Sequence, residues 1–348
     1  MNLLTRRKAL AAGGALAATL GAAPRNRATA ASTTITVTAL GGIWEEAVRG
    51  CFVAPYEKAT GNTAHVLIGS PPQWLSQIEA NPTKPPIDVL VTIPDLAIAA
   101  GRKGLMAPFS HAQLSNLKDI PQPFIDGVEG FGAVFDYGVA GLTWHRDRVK
   151  NPPKSFAEFV DRTAKGEWQA MLPGVGYAVT PIMAIWALSK AFGGGVDNVD
   201  PFFAAVKKMG RNVSFWNSPN DFENALSTGD ADIGIYFDGR TWSWYDSGAK
   251  FVDFLNPSEG GSINAIAVQK PKNANDAAWA YIDVMLSPEA GLCFAKKLNY
   301  GVTNKRVVYP PALAARITPW QKAAFPPYAA IAEKRNAWVD RWNREIGS

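Results

Sequence analysis

The stretch Ile35-Thr-Val-Thr-Ala-Leu-Gly-Gly-Ile-Trp-Glu-Glu-Ala-Val48 decides the fold of this chain. Its first six residues, 35–40, have the composition of a strand, and the glycine pair that follows is typical of a turn. From Trp44 onward, apolar residues recur at helical spacing. The stretch therefore predicts a strand that turns directly into a helix.

The same alternation continues downstream. Residues 64–68 predict a second strand, residues 73–80 a second helix and residues 87–92 a third strand. A strand–helix–strand–helix–strand order is typical of a parallel α/β sheet. Further strands are expected at residues 139–144 and 232–237.

Helix starts are marked by short polar side chains. Ser155 and Glu158 form the spacing of a capping box, in which each side chain satisfies a free backbone N–H group. Asn220 and Glu223 give a similar signal, and Asn275 predicts the start of another helix.

Two short Gly- and Pro-bearing segments, near residues 136–138 and 256–261, interrupt these elements and are typical of hinges. Two hinges imply that the chain crosses twice between lobes, so that each lobe is discontinuous. The predicted division is 32–137 plus 260–305 for lobe 1, and 138–259 plus 306–348 for lobe 2.

The N-terminal segment 1–31 carries the arginine pair Arg6-Arg7, followed by an uncharged stretch, residues 9–23. This pattern predicts a signal peptide of the twin-arginine type. The uncharged stretch is shorter than the roughly 20 residues that span a bilayer. We therefore expect export to the periplasm.

The charge of the chain argues against nucleic acid as a partner. The segment 1–31 holds five of the 35 Lys and Arg residues and none of the 30 Asp and Glu residues, so the rest of the chain is balanced. No long basic run remains to neutralise phosphates. We expect a monomer that does not bind nucleic acid.

Cys51 and Cys293 are the two cysteines of the sequence. An oxidising compartment permits a disulfide between them. Isolated cysteines also serve as small buried apolar residues. The sequence leaves both interpretations open.

Motifs that would indicate catalysis are scarce. His65, His111 and His145 lack metal-ligand spacing, and no Gly-x-Ser-x-Gly or phosphate-loop motif occurs. Gly174-Val-Gly176 lacks the third glycine of a dinucleotide-binding turn. We expect a protein without catalytic, metal-ligating or cofactor-binding residues.

Acidic and aromatic residues follow two of the predicted strands. Asp95 follows the third strand, and Asp238 follows the strand at residues 232–237, close to Trp242. Ligands of open α/β sheets bind outside the carboxyl ends of strands. A carboxylate beside an aromatic face suits an organic cation. Asp238 is equally suited to a structural role, as a turn residue or as the cap of a helix.

Seven segments distributed over residues 35–309 resemble the periplasmic solute-binding proteins of ABC importers, and specifically the spermidine/putrescine-binding group. Each segment is short, and their order and spacing together carry the resemblance. They are Ala54–Gly61, Ile87–Val91, Gly101–Met106, Gly229–Gly234, Pro257–Gly261, Ser287–Glu289 and Asn299–Asn304.

The resemblance implies an α/β, type II periplasmic binding protein fold, with two lobes that are each a mixed sheet flanked by helices. The two lobes are joined by two hinge crossovers and close on the ligand. Trp44 and Asp95 match aromatic cleft positions of the first lobe. Asp238 matches the second residue of a Trp-Asn pair, and Asn264 matches a ligand carboxylate. Tyr137, which lies in the first predicted hinge, is a further candidate ligand-binding residue.

Two departures from the polyamine pattern bear on the ligand. The segment Leu172–Ala178 has no acid where polyamine binders have two, and Asn264 has no charge. A buried ammonium needs a partner carboxylate. The site therefore also suits a ligand with one amine, and Arg240 could hold a carboxylate of a zwitterion.

The sequence predicts the substrate-binding receptor of an ABC transporter, which captures a polyamine or other organic amine and docks on an inner-membrane permease. One alternative is a receptor for Fe(III) or an anion, although the adjacent tyrosines of Fe(III) receptors are missing here. A less favoured alternative is a periplasmic enzyme with the same fold.

Overall fold

The computed structural model of the protein describes residues 32–347. The predicted signal peptide, residues 1–31, lies outside the described residues, and so does the arginine pair within it. Among the described residues, no helix combines the length and the apolar character needed to cross a membrane.

Strands and helices alternate along most of the described chain. The strands are β1 (Thr34–Ala39), β2 (Thr63–Ile68), β3 (Leu90–Thr92), β4 (Ala133–His145), β5 (Ala170–Pro173), β6 (Val213–Trp216), β7 (Ile233–Phe237), β8 (Val252–Leu255), β9 (Ser262–Gln269) and β10 (Gly301–Val302). The first half of the helices comprises α1 (Ile43–Val48), α2 (Ala54–Thr60), α3 (Pro71–Ala80), α4 (Pro94–Arg102), α5 (Pro123–Asp126), α6 (Phe156–Ala164) and α7 (Ala187–Ala191). The second half comprises α8 (Asp200–Met209), α9 (Pro219–Thr228), α10 (Asp238–Asp246), α11 (Ala277–Met285), α12 (Pro288–Leu298), α13 (Pro311–Ala314) and α14 (Tyr328–Glu345).

The expected order of strands and helices over residues 35–92 is confirmed. β1 and β2 pair in parallel, and a parallel bridge between Val37 and Val89 connects β1 to the segment before β3. β3 then pairs with β9, which runs antiparallel to β4. On the other side of β4 the order continues through β7 and β5 to β6.

The long strand β4 belongs to two sheet regions. Residues 133–140 pair with β9, and residues 140–144 pair with β7. The backbone at Gly261, just before β9, approaches the carbonyl oxygen of Ala140 so closely that a Cβ atom there would collide with it. Helices flank both regions, so the predicted mixed α/β fold is confirmed.

The helix-start signals are confirmed to different degrees. Ser155 accepts a hydrogen bond from the backbone N–H of Glu158, as predicted, whereas the Glu158 carboxylate accepts from the backbone N–H of Lys154 and not from that of Ser155. The start predicted from Asn220 is wrong by a short distance, because the capping box is formed by Ser218 and Asp221. Ser218 follows the end of β6 by two residues, so α9 begins at Pro219, before Asn220.

The two cysteines form a disulfide, with Cα atoms 5.6 Å apart. The bond joins the π-helical segment Arg49–Val53, between α1 and α2, to helix α12. The residues it connects are separated by 242 positions along the chain. The covalent link therefore holds together two segments that the sequence places far apart.

The C-terminal helix α14 contacts both sheet regions. Near its start, Tyr328 donates a hydrogen bond from Oη to the carbonyl oxygen of Ile263 in β9 (3.0 Å). Near its end, Trp342 packs against Phe202 of α8 and Phe215 of β6. The predicted lobe boundaries stay a prediction, and α14 lies along elements of both predicted lobes.

Candidate functional site

A cavity of about 360 Å³ opens where β1, β3 and β7 end. Strands β4 and β9 form its floor. Its lining comprises Leu40, Trp44, Pro71, Pro72, Ile93, Leu96, Asp136, Gly138, Tyr177, Ala178, Val179, Pro219, Phe237, Arg240, Asn264, Ala265, Ile266 and Tyr300. The carboxyl ends of strands are where open α/β sheets bind ligands.

Strand alternation decides which residues of β4 face this cavity. Asp136 and Gly138 face the cavity, and the register pairs Gly138 with Asn264 of β9. Successive side chains of a strand point to opposite faces. Tyr137 accordingly lies on the other face, where its Oη donates a hydrogen bond to the carbonyl oxygen of Thr318 (3.2 Å).

Asp136 is a buried acid without a partner. Only 2% of the residue is exposed, and its Oδ1 atom makes no hydrogen bond to any described residue. Burial raises the pKa of Asp136 well above its ordinary value. Desolvation of an acid without a partner is the cause of this shift, and buried acids in native proteins normally have a hydrogen-bond partner.

Asn264 presents a second acceptor of the same kind. Its Nδ2 group donates to the carbonyl oxygen of Ser262 (3.0 Å), which orients the amide. Its Oδ1 atom is buried and has no donor in the described part of the chain. Asp136 and Asn264 are diagonal neighbours on one sheet face, with Cα atoms about 7–8 Å apart.

Arg240 contributes a positive charge from the first turn of α10. Within residues 32–347 its guanidinium group makes neither a hydrogen bond nor an ion pair. An arginine side chain stays protonated in proteins and only donates hydrogen bonds. The partly buried guanidinium group is thus available to an acceptor in the cavity.

Tyr300 also lines the cavity and packs against β4 and α10. A Cβ atom on Gly138 would be 3.0 Å from the Tyr300 ring, and one on Gly239 would be 2.5 Å from it. The absence of side chains at both glycines therefore lets the ring approach β4 and α10. Burial raises the pKa of the Tyr300 hydroxyl, and the Arg240 charge opposes that rise.

Trp44 forms an aromatic wall of the cavity and is held by other rings. Its ring centroid lies 5.0 Å from that of Phe294 and 6.0 Å from that of Phe135, both edge-on. Phe294 follows directly on the disulfide residue Cys293. The position of Trp44 therefore depends on packing around the covalent link.

A smaller cavity of about 280 Å³ adjoins the first. Trp44, Arg240 and Tyr300 line both cavities. Glu223 and Ser243 line the smaller one, and Glu223 accepts a hydrogen bond from the hydroxyl of Tyr236 (2.7 Å). Arg240 thus stands at the junction of the two cavities.

Four residues expected at the site do not line the larger cavity. Tyr137 is the first of them, for the reason given above. Asp95 is the second, because it forms an ion pair with Arg335 of α14. Arg335 also donates to the carbonyl oxygen of Ala178, so both groups are engaged.

The third is Asp238, whose carboxylate has a structural role. Its Oδ1 atom accepts hydrogen bonds from the backbone N–H groups of Val139 (2.9 Å) and Gly239 (2.7 Å). Burial raises the pKa of Asp238 to about 7 although these bonds oppose the rise. The fourth is Trp242, whose ring lies 5.4 Å from the guanidinium carbon of Arg316.

Trp44, Arg240 and Asn264 are the expected residues that the structure brings together. Asp136, Tyr177 and Tyr300 line the cavity as well and were missed. The signal that could have identified Asp136 is a lone acid within the apolar run 133–142. Among the described residues, no group of three or more His, Cys, Asp or Glu side chains is arranged to hold a metal ion.

We expect the ligand-free protein to lose stability as the pH rises above about 4. The unfolded chain then releases the Asp136 proton, whereas the folded protein retains it because its pKa is raised. One such group lowers the free energy of unfolding by about 1.4 kcal/mol per pH unit until its folded-state pKa is reached. Denaturant titrations between pH 4 and pH 7 would measure this slope.

The variant Asp136→Asn should lose this contribution and be the more stable protein at pH 7. The raised pKa of Asp238 also makes the free energy of unfolding fall with pH, between the ordinary pKa of an aspartate and about 7. The variant should therefore keep part of the slope. Identical slopes in the variant and the wild type would contradict a neutral Asp136.

Comparisons with known proteins show what the whole chain is similar to. The family model described as "Bacterial extracellular solute-binding protein" matches residues 52–324. None of the curated proteins compared with the chain matches it.

Solved structures match over almost the whole chain. A structure from Bordetella parapertussis named as an extracellular solute-binding protein is 27% identical, with a TM-score of 0.83, and the match covers 91% of this chain and 100% of that one. An ABC transporter structure from Clostridium perfringens is 21% identical, with a TM-score of 0.76 and coverage of 90% and 99%. A substrate-binding protein of an ABC transporter from Bradyrhizobium japonicum is 20% identical, with a TM-score of 0.78 and coverage of 90% and 100%.

These neighbours have the two-lobed type II architecture expected from the sequence, and that expectation is confirmed. The family model covers well over half of the sequence. The chain belongs to the bacterial extracellular solute-binding protein family, whose members bind a small molecule and deliver it to an ABC permease.

Proposed function

We propose that this receptor captures a small organic amine in the cavity of Asp136, Asn264 and Arg240. One observation carries the proposal: two buried acceptors, the Oδ1 atoms of Asp136 and Asn264, face the cavity and lack donors among the described residues. Buried acceptors of this kind are normally hydrogen-bonded. An ammonium group supplies several N–H donors together with the charge that an ionised Asp136 needs.

Aromatic side chains favour the same ligand. Trp44, Tyr177 and Tyr300 line the cavity. An aromatic face contributes about 0.5–2 kcal/mol to the binding of a cation. Together with one desolvated ion pair, this is consistent with micromolar affinity, which corresponds to about −8 kcal/mol.

A polyamine fits this cavity less well than a ligand with one amine. Asp136 is the only carboxylate residue among those that line the larger cavity in the described chain. Glu223 lies in the adjoining cavity, but the Arg240 guanidinium stands between the two. A second ammonium group passing Arg240 would be repelled.

The similar solved structures do not identify the ligand of this protein. They include one in complex with agropinic acid, one named as a GABA receptor and one with fructose-6-phosphate bound. Their identities to this chain are 18%, 21% and 19%, so they support the fold and not the ligand. The proposal therefore rests on the cavity of this protein.

The proposed route to the site includes export. Arg6-Arg7 and the uncharged stretch after them support a twin-arginine signal and a periplasmic location. The mass of the exported chain would locate the cleavage point. Capture by closure of the two lobes, action as a monomer and absence of catalysis are further parts of the proposal.

Replacing Asp136 with Asn should weaken binding of amines at least 100-fold, because the ion pair with the ammonium group is lost. A thermal-shift screen of amines, amino acids, betaines and polyamines, followed by calorimetry on the best compound, would measure this. Asp119→Asn is the matched control, since Asp119 is also a buried aspartate but lies outside both cavities. Its affinity should equal that of the wild type.

Two outcomes would contradict the proposal. One is that no amine in the screen raises the melting temperature. The other is that Asp136→Asn binds the best amine as tightly as the wild type does. A receptor for Fe(III) would instead yield coloured protein whose iron content survives dialysis.

A further inference from the structure

We infer that the ligand is a zwitterion, whose acid group is bound by Arg240 while its ammonium group is bound by Asp136 and Asn264. This inference rests on the proposed function and extends it from an amine to a class of amino acid. It starts from the charge of Arg240, which an amine alone leaves without a partner.

The guanidinium group of Arg240 lacks any anionic neighbour at ion-pair distance in the described structure. Glu223 is the one acidic residue that lines the smaller cavity in the described chain, and its Oε1 atom already accepts the Tyr236 hydroxyl. A partly buried charge is costly when it is unpaired. The planar guanidinium group binds a carboxylate through two parallel hydrogen bonds.

The donors and acceptors of the cavity are segregated. Asp136 and Asn264 present acceptors from the floor strands β4 and β9. Arg240 presents donors from the first turn of α10. This polarity matches a molecule with an ammonium group at one end and an acid group at the other.

The Tyr300 ring packs close to both ends of the proposed site. One edge of the ring faces Gly138, which is the register partner of Asn264 and lies two residues from Asp136, and the same edge faces Gly239, which precedes Arg240. Asp136 and Arg240 line one cavity of about 360 Å³. A small zwitterion suits a cavity of this size.

The test compares ligands that differ only in their acid group. The probes are glycine, β-alanine, 4-aminobutyrate and 5-aminopentanoate, each with its methyl ester, and the simple alkylamines of the same length. Calorimetry on the wild type should find one of the four acids bound at least 100-fold more tightly than its ester. The length of the preferred acid reports the separation of Asp136 and Arg240.

The variant Arg240→Met should abolish the preference for the acid over the ester. Arg240→Lys should restore part of it, because lysine keeps the charge and loses the two-pronged geometry. The matched control is Arg316→Gln, since Arg316 contacts the other end of α10 at Asp246, outside both cavities. That variant should keep the full preference.

Removal of an unpaired charge should leave the melting temperature of Arg240→Met unchanged or higher, which separates a binding defect from a folding defect. If Arg240→Met does not fold, the comparison of each acid with its methyl ester in the wild type still tests the inference. Equal binding of acids, esters and alkylamines would overturn the inference while the proposed amine receptor stands. Failure of every probe, the alkylamines included, would count against the proposed function itself.

Discussion

Breaking the disulfide between Cys51 and Cys293 is expected to lower the free energy of unfolding by about 4 kcal/mol. The bond closes a loop between residues 242 positions apart. In the chain-entropy treatment a loop of this length is worth about 5 kcal/mol, and the loss of a native disulfide usually costs about 2–5 kcal/mol. Denaturant unfolding of Cys51→Ala/Cys293→Ala and of the wild type would measure the difference.

The reduced wild type is the control for this prediction. Dithiothreitol should lower its unfolding midpoint to that of the double variant and should leave the variant itself unchanged. A wild-type midpoint that is insensitive to the reductant would contradict the bond. Because Phe294, next to Cys293, supports Trp44, the variant should also bind its ligand more weakly.

Replacing Arg335 with Met is expected to lower the free energy of unfolding by about 3 kcal/mol at pH 7. Arg335 is the partner of Asp95, which is only 3% exposed and has one carboxylate oxygen without any partner among the described residues. Removing one member of such a pair leaves a buried charge uncompensated. Denaturant unfolding would measure the loss.

The effect of Arg335→Met should shrink as the pH falls. Burial raises the pKa of Asp95 and the charge of Arg335 opposes that rise, so the variant protonates Asp95 more readily. Below about pH 3 the carboxyl is neutral in the folded and unfolded states alike, and the unpaired charge disappears. Arg341→Gln, on the same helix, is the control. Its partners are exposed, so it should cost less than about 1 kcal/mol at either pH.

A large part of the fold was predictable from local patterns. The alternation of strands and helices over residues 35–92 appears in the spacing of apolar residues, and Ser155 marks a helix start by its own chemistry. The disulfide was not predictable, because its two cysteines are far apart in sequence and spacing alone does not bring them together.

The candidate site was predictable only in part. Asp95 follows a strand, as expected of a ligand residue, but its partner Arg335 is 240 positions away and no local signal identifies it. Asp238 likewise follows a strand and is engaged by backbone N–H groups. Asp136 was not predicted, because ligand residues are expected at the ends of strands and this acid lies within one. Its register against β9, which no local pattern specifies, turns it toward the cavity.

The shared strand β4 has a mechanical consequence. Its hydrogen-bonded ladder with β9 continues to Ala140, where pairing with β7 begins. If the two predicted lobes rotate against each other, the rotation must change the twist of a paired ribbon, because β4 belongs to both pairings. Asp136 and Gly138 are part of this ribbon, so a molecule bound to them would contact the segment that such a rotation twists.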